Sequence, residues 1–380
     1  MGHISFALLS LLFFLPGVSL QAADVPKPPH VSVVEGSAGE TYRGHGHSRL
    51  AATQSAMQQC NAAPMAQSGG CEVIKVDELA IPSAASLRSD SADDRLFLWR
   101  YRNGPATVYL AGSVHLLKAG FYPLPRAYEA AFEQSDKLVV EVDVSAVDPA
   151  EIQQLTLQYG SLPRGSTLKT VLPPDVHAKL GQTMATYGLA IQQFENFKPA
   201  LVTQQLVVLA MLSAGYQAEY GVEQHFLRKR GSREVLQLES LPFQLDLLFN
   251  VPLATQRVLT EDTLAIMPHF PDAMSDLIAA WHAGDDQRLM QALNDQQGES
   301  AEAKAWNEAL LDQRNEGMAE QIKGYLDTEG TYFVLVGTAH LAGPRSIPAL
   351  LNDHSFEVER LRRNATLRDT STSLLPDLNQ

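Results

Sequence analysis

Basic charge is scarce: 29 Lys and Arg stand against 43 Asp and Glu, a formal net charge of -14. Phosphate-backbone binding needs clustered Lys and Arg to displace counterions, so nucleic acid is not an expected partner. Cysteine is scarcer, with two in 380 residues, and these lack the short spacing of a redox or metal motif. No apolar run reaches the roughly 20 residues that a membrane-spanning helix needs. The GxSxG nucleophile elbow, the P-loop and the dinucleotide fingerprint are missing too. Serine-elbow hydrolysis, phosphotransfer and hydride transfer therefore have no support in the sequence. What remains is a globular composition, 45% hydrophobic and 19% charged, long enough for one large domain and a small one.

At the start of the chain, Ile4 to Leu15 is almost wholly apolar, Pro16 and Gly17 break the run, and Ala22 and Ala23 precede Asp24. Residues 1–23 therefore read as a secretory signal peptide, although the first residues offer His3 and no Lys or Arg; a membrane anchor is the alternative. The mature protein is expected to be periplasmic or secreted. In that oxidising setting Cys60 and Cys71 read as a disulfide, worth about 3 kcal/mol in the chain-entropy account. They mark a small N-terminal region, residues 24–82. There Ala51 to Cys60 reads as a helix, Cys71 to Val76 as a strand with Glu72 and Lys75 facing out, and His45 and His47 as part of a solvated loop. The Ser, Ala and Asp rich residues 83–95 read as a linker.

The main domain is expected over residues 96–363, with a disordered tail over 364–380. Leu96 to Tyr101 and Thr107 to Ala111 read as strands joined by an Asn103-Gly104 turn. A helix follows from Pro125 to Phe132, then a strand from Lys137 to Val142. From Pro173 to Asp327 helical spacing dominates: Asp175 to Tyr187, Pro199 to Ala214, Val222 to Arg230, Leu253 to Ile266, Pro271 to Ala283 and Ala301 to Leu326. Only Glu234 to Leu238 reads as a strand within it. Thr331 to Val336, a short helix from Ile347 to Leu351, and Phe356 to Leu361 close the domain. The fold class is α/β, a mixed sheet with a large helical insert, preceded by the small disulfide-containing region.

One constellation occurs twice: Val108 to Leu116 reads VYLAGSVHL, and Phe333 to Leu341 reads FVLVGTAHL. In each, four apolar residues meet a Gly, a small hydroxyl residue, a small apolar residue and then His-Leu. Gly112 and Gly337 are expected to let the backbone turn where a side chain would crowd a ligand. His115 and His340 then reach the crevice beyond the carboxyl ends of the strands, where open α/β sheets bind ligands. Hydrolytic metal sites add carboxylates to histidines. Three stand at matching places: Glu141 near a strand end, Glu239 directly after Val235 to Leu238, and Glu223 two residues after Gly221. Ser113, close to His115, offers a competing nucleophile, but Thr338 replaces it in the second copy, and a hydroxyl there is expected to cap the turn or the following helix.

These residues resemble the TraB/GumN family, which includes the Tiki metalloproteases. The resemblance runs from Leu96 to Arg362. It rests on GSVH (112–115) and GTAH (337–340), with support from YPLP (122–125), VVEVD (139–143), YGVEQHF (220–226) and LQLES (236–240) followed by Gln244. It implies an α/β core related to erythromycin-esterase-like and ChaN-like proteins, a metal site built from the two histidines and acidic residues, and, from the Tiki members, proteolysis with Mn or Co. The expectation is a metal-dependent hydrolase of peptide or protein substrates, with His115, His340 and Glu141 as ligands and Glu223 or Glu239 as further ligand or general base. The alternative is a non-catalytic peptide, glycan or metal-binding protein that uses the same cleft.

Overall fold

The computed structural model describes residues 30–63, 70–88, 94–295, 300–352, 356–365 and 367. The expected signal peptide and nearly all of the expected tail lie outside the described residues.

Four short antiparallel strands, β1 (His30–Gly36), β2 (Thr41–Gly46), β3 (Cys71–Val76) and β4 (Leu79–Ala80), form a first sheet in the order β2-β1-β3-β4. Helix Arg49–Ala62 packs against it, started by Ser48, whose side chain accepts the Ala51 N–H. Cys60 in that helix and Cys71 at the start of β3 are joined by the expected disulfide. Two local expectations need correcting. His45 lies in β2, paired with Val31, because the Gly-rich segment is extended and not a free loop. Glu72 does not face outward: its carboxylate accepts the Ala84 N–H at 3.1 Å and so caps the short helix Ala84–Leu87. This helix falls in the stretch read as a linker, and Ala84 and Leu87 are buried. The N-terminal sheet also shares one apolar core with the rest of the chain, and Thr53 Oγ1 donates to the Ser213 carbonyl at 2.8 Å.

The second sheet has six strands: β5 (Arg95–Asn103), β6 (Ala106–Ser113), β7 (Lys137–Val140), β8 (Glu234–Gln237), β9 (Gly330–Gly337) and β10 (Glu357–Arg362), in the order β10-β5-β6-β9-β7-β8. It is mixed. β6, β9, β7 and β8 run parallel as successive neighbours, and β5 runs antiparallel to β6 and β10. Strands buried on both faces need apolar residues at every position, and β6, β7 and β9 supply them: Val108, Leu110, Leu138, Val139 and Phe333 to Leu335 are all fully buried. The β5–β6 turn passes through Gly104 at φ +56, as the Asn-Gly pair predicts.

β7, β8 and β9 are each reached through helices, as parallel connections require. The five expected helices from Asp175 to Ala283 occur within one residue of their expected ends. Helix Pro199–Ser213 is mostly apolar on every side, Thr203, Gln204, Gln205 and Ser213 apart, and buried almost throughout, the pattern of a central helix. β8, the strand expected within the large helical block, joins the sheet edge and divides that block into two crossovers. Helices Pro149–Gly160, Leu241–Phe249 and Asp286–Asn294 also form, each missing from the sequence reading. The single helix expected from Ala301 to Leu326 breaks at Leu311 into Ala301–Leu310 and Asp312–Leu326. The two halves serve different cores. Ala303, Trp306 and Leu310 join a satellite cluster, whereas Met318, Ala319 and Ile322 join the main one.

Candidate functional site

All five residues singled out from the sequence stand at the carboxyl edge of the four parallel strands. β6 ends at Ser113, and the chain runs on to His115. β9 ends at Gly337, and a tight turn, Thr338–Leu341, carries His340. Beyond β7 and β8 the pairing continues, with Glu239 N–H donating to the Glu141 carbonyl at 2.9 Å, so these two carboxylates are held side by side. Glu223 arrives on helix Val222–Lys229. A Cβ on Gly221 would lie 2.2 Å from the His115 carbonyl, so only glycine lets that helix start against the His115 loop. Phe226 on the same helix packs against Phe132 and Phe333, at 4.9 and 4.8 Å between ring centroids, and fixes the helix to the sheet.

The two histidines have the same kind of support but different partners. His115 Nδ1 lies 2.8 Å from Glu223 Oε1, which also accepts the Ser113 hydroxyl. His340 Nδ1 lies 2.7 Å from Asn315 Oδ1. The Asn315 amide is oriented by its own Nδ2, which donates to the Arg345 carbonyl at 2.9 Å. Oδ1 can only accept, so His340 carries its proton on Nδ1 and turns an unprotonated Nε2 toward Glu141 Oε1, 3.9 Å away. Glu141 Oε1 is held by the Gly337 N–H at 2.6 Å. A Cβ added to Gly337 would sit 3.4 Å from Glu141 Oε1, 3.6 Å from His340 Cδ2 and 3.8 Å from His115 Nε2. One small space therefore touches both histidines and a carboxylate.

The other side of Glu141 is closed by Arg314, which the sequence reading missed, and by Gln244, which entered it only through the family resemblance. Arg314, in helix Asp312–Leu326, donates to Glu141 Oε2 and grips Glu239 with two hydrogen bonds of 2.8 Å. Gln244 Nε2 reaches Glu239 at 2.8 Å and Glu141 at 3.3 Å. A signal for Arg314 exists: it begins the i, i+4 series Met318, Ile322 and Leu326, the buried stripe of its helix, where a charge needs a buried partner.

Charge follows these contacts. Burial opposes ionisation of Glu141, but the Arg314 guanidinium and the neighbouring histidines outweigh it and hold the carboxyl at about 2. Burial, then Arg314, hold His340 at about 3, so it is neutral. Burial also disfavours charge on His115, yet the Glu223 carboxylate keeps its pKa above the ordinary value.

Two expectations change in detail. Neither Gly112 nor Gly337 adopts a positive φ. Gly112 is required by packing, since a Cβ would lie 2.9 Å from Phe97 Cβ and from Thr338 Oγ1. Nor do the motif hydroxyls cap a turn: Ser113 donates to Glu223, and Thr338 bridges strands by donating to the Ser113 carbonyl at 2.7 Å.

Among the described residues, no group of three or more His, Cys, Asp or Glu side chains is gathered in a form that could hold a metal ion. None of the described helices is long and apolar enough to cross a membrane.

The chain is 23% identical to the uncharacterized protein YbaP of Escherichia coli (strain K12), over 65% of this chain and 89% of that protein. It is also 22% identical to the metalloprotease TIKI1 of Danio rerio, over 78% of this chain and 72% of that one. No solved structure matches. The TraB/PrgY/gumN family pattern matches residues 97–360, a span that contains the six-stranded sheet almost whole together with both histidine motifs and the three glutamates, and the chain belongs to that family.

Proposed function

We propose that the protein is a metal-dependent hydrolase of peptide bonds, working in the periplasm or outside the cell. The observation that carries this reading is the space beside Gly337, touched by His115 Nε2, the His340 ring and Glu141 Oε1. Two imidazole nitrogens and a carboxylate oxygen are donor types that divalent ions take, Mn or Co on the family resemblance, and holding one would draw these side chains closer together than they stand here. Ligating histidines have their second nitrogen held by an oxygen partner, and Glu223 and Asn315 supply such partners here. The similarity to a protein named a metalloprotease and the Cys60–Cys71 disulfide support the reaction class and the oxidising location.

A bound divalent ion would polarise the scissile carbonyl and lower the pKa of a bound water toward about 7. His115 and His340 would hold it through Nε2, and Glu141 through Oε1, the atom that the Gly337 N–H keeps in place. Of the two remaining acids, Glu239 has both oxygens engaged by Arg314. Glu223 Oε2 is buried with no hydrogen-bond partner, so Glu223 is the acid with an oxygen available to accept a proton. One observation favours the second reading, a binding protein without turnover: Arg314 already neutralises Glu141.

The test is metal analysis of purified mature protein with peptide-library digestion, with and without chelator. Chelator-sensitive cleavage is expected, and Glu223→Gln should lower turnover about 100-fold to 10,000-fold, the usual contribution of a general base, while peptide still binds. Peptide binding without turnover under any divalent metal would establish the binding-protein reading instead.

A further inference from the structure

Directly beside the two histidines lies a cavity of about 90 Å3 that no step of the proposed reaction uses. Its walls include Met211, Met274, Leu277, Ile278, Trp281 and Leu311, with His115 and His340 at one side. Met211 comes from the central helix and four of the others from helix Phe270–Ala283. Apart from the Nε2 atoms of the two histidines, the polar side chains nearby are already engaged. Trp281 Nε1 donates to the Gly112 carbonyl at 3.1 Å, Ser113 donates to Glu223, and Thr338 donates to the Ser113 carbonyl. A cavity with so few free polar groups holds water poorly.

We infer that this cavity is the pocket that takes one aliphatic side chain of a peptide substrate, next to the bond presented to the histidines; the inference rests on the peptide-hydrolase reading above. Charged side chains are disfavoured because the walls away from the two histidines are apolar, and burying an unpaired charge is strongly unfavourable. Size narrows the choice further. An apolar cavity of about 150 Å3 accepts benzene, so this smaller one suits Val, Leu or Met and is tight for an aromatic ring. Met211 and Met274 are flexible enough to close around branched or unbranched chains.

The experiment uses the full chain with 13C-methyl methionine, titrated with four blocked peptides, N-acetyl-Ala-Ala-X-Ala-amide, where X is Leu, Phe, Gly or Asp. The Leu peptide should bind about tenfold more tightly than the Gly and Asp peptides, the discrimination an apolar pocket usually gives, and should shift the Met211 and Met274 methyl signals. Met274→Ala should move the preference from Leu toward Phe, and Ile278→Phe should weaken Leu binding by about the same tenfold. If one variant does not fold, the other decides. Equal binding of the four peptides, no binding at all, or a Leu preference untouched in both variants would overturn the pocket. Cleavage of the same peptides is read separately. Preference without cleavage removes the hydrolase reading and leaves the pocket, and cleavage without preference does the reverse.

Discussion

Gly112 and Gly337 open the same four-residue motif on neighbouring strands, yet the motifs are one residue out of register. Gly112 pairs with Val336, and Gly337 pairs with Ser113. Successive strand residues face opposite sides of a sheet, so this single step sends the two glycines to different surroundings. Gly112 faces Phe97, Thr338 and Leu341 in the core, whereas Gly337 faces Glu141 and both histidines. The histidines diverge in the same way. His340 is 3% exposed and held by a neutral amide, and His115 is 19% exposed and held by a carboxylate. Sequence repetition here records two backbone turns that deliver a histidine, not two equivalent positions.

The largest effect should come from the cation that only one arm touches. Arg314 bonds Glu141 and Glu239 in a buried cluster, with side-chain exposures of 3%, 7% and 6%. Removing one partner of such a cluster leaves buried charge uncompensated, at a cost of about 3 to 5 kcal/mol. Arg314→Met should therefore lower unfolding free energy in urea by that amount and loosen the His340 side of the site. A loss under about 1 kcal/mol, in the range of exposed ion pairs, would remove the asymmetry between the arms.

The next effect tests the core-facing glycine. At Gly112 an added methyl would meet Phe97 Cβ and Thr338 Oγ1 at 2.9 Å and Leu341 Cδ1 at 3.1 Å, and overpacking of this kind costs about 1 to 3 kcal/mol. Gly112→Ala should show that loss in a urea titration. Unchanged stability would mean that the sheet yields freely here and that the register step has no energetic consequence.

The ease of reading this chain varied with the range of the interactions. Unbroken apolar runs marked β6, β7 and β9, because strands covered on both faces carry the signal within themselves. Glu141 and Glu239 were visible as charges at the ends of such runs. β1 and β2 were not visible, since their residues mix Gly, His and Ser with apolar ones and they are ordered by helix Arg49–Ala62 and β3. Asn315 was hidden, and Arg314 stood out only as a charge heading a buried helical stripe, with nothing local to name its partners. Arg314 and Asn315 sit on a helix 199 and 200 residues from His115 and meet the site only through the sheet order that places β9 between β6 and β7. The break at Leu311 has no Gly or Pro to announce it; two separate cores pull the halves apart.

The smallest effect on stability belongs to the other glycine, and its sign should be reversed. Gly337 has φ -52 and ψ 135, a conformation open to any L-residue, and its added methyl would find neighbours at 3.4 Å and beyond. Replacing glycine by alanine at such a position narrows the unfolded ensemble and can stabilise by about 0.4 to 1 kcal/mol. Gly337→Ala should therefore unfold at the same or a slightly higher urea concentration than the parent, opposite to Gly112→Ala. The methyl would nonetheless occupy the space that Glu141, His340 and His115 share. Mn or Co binding measured by calorimetry should weaken although the fold is intact. If Gly337→Ala loses stability as Gly112→Ala does and binds metal unchanged, the two glycines do the same work and the contrast between the strand ends falls.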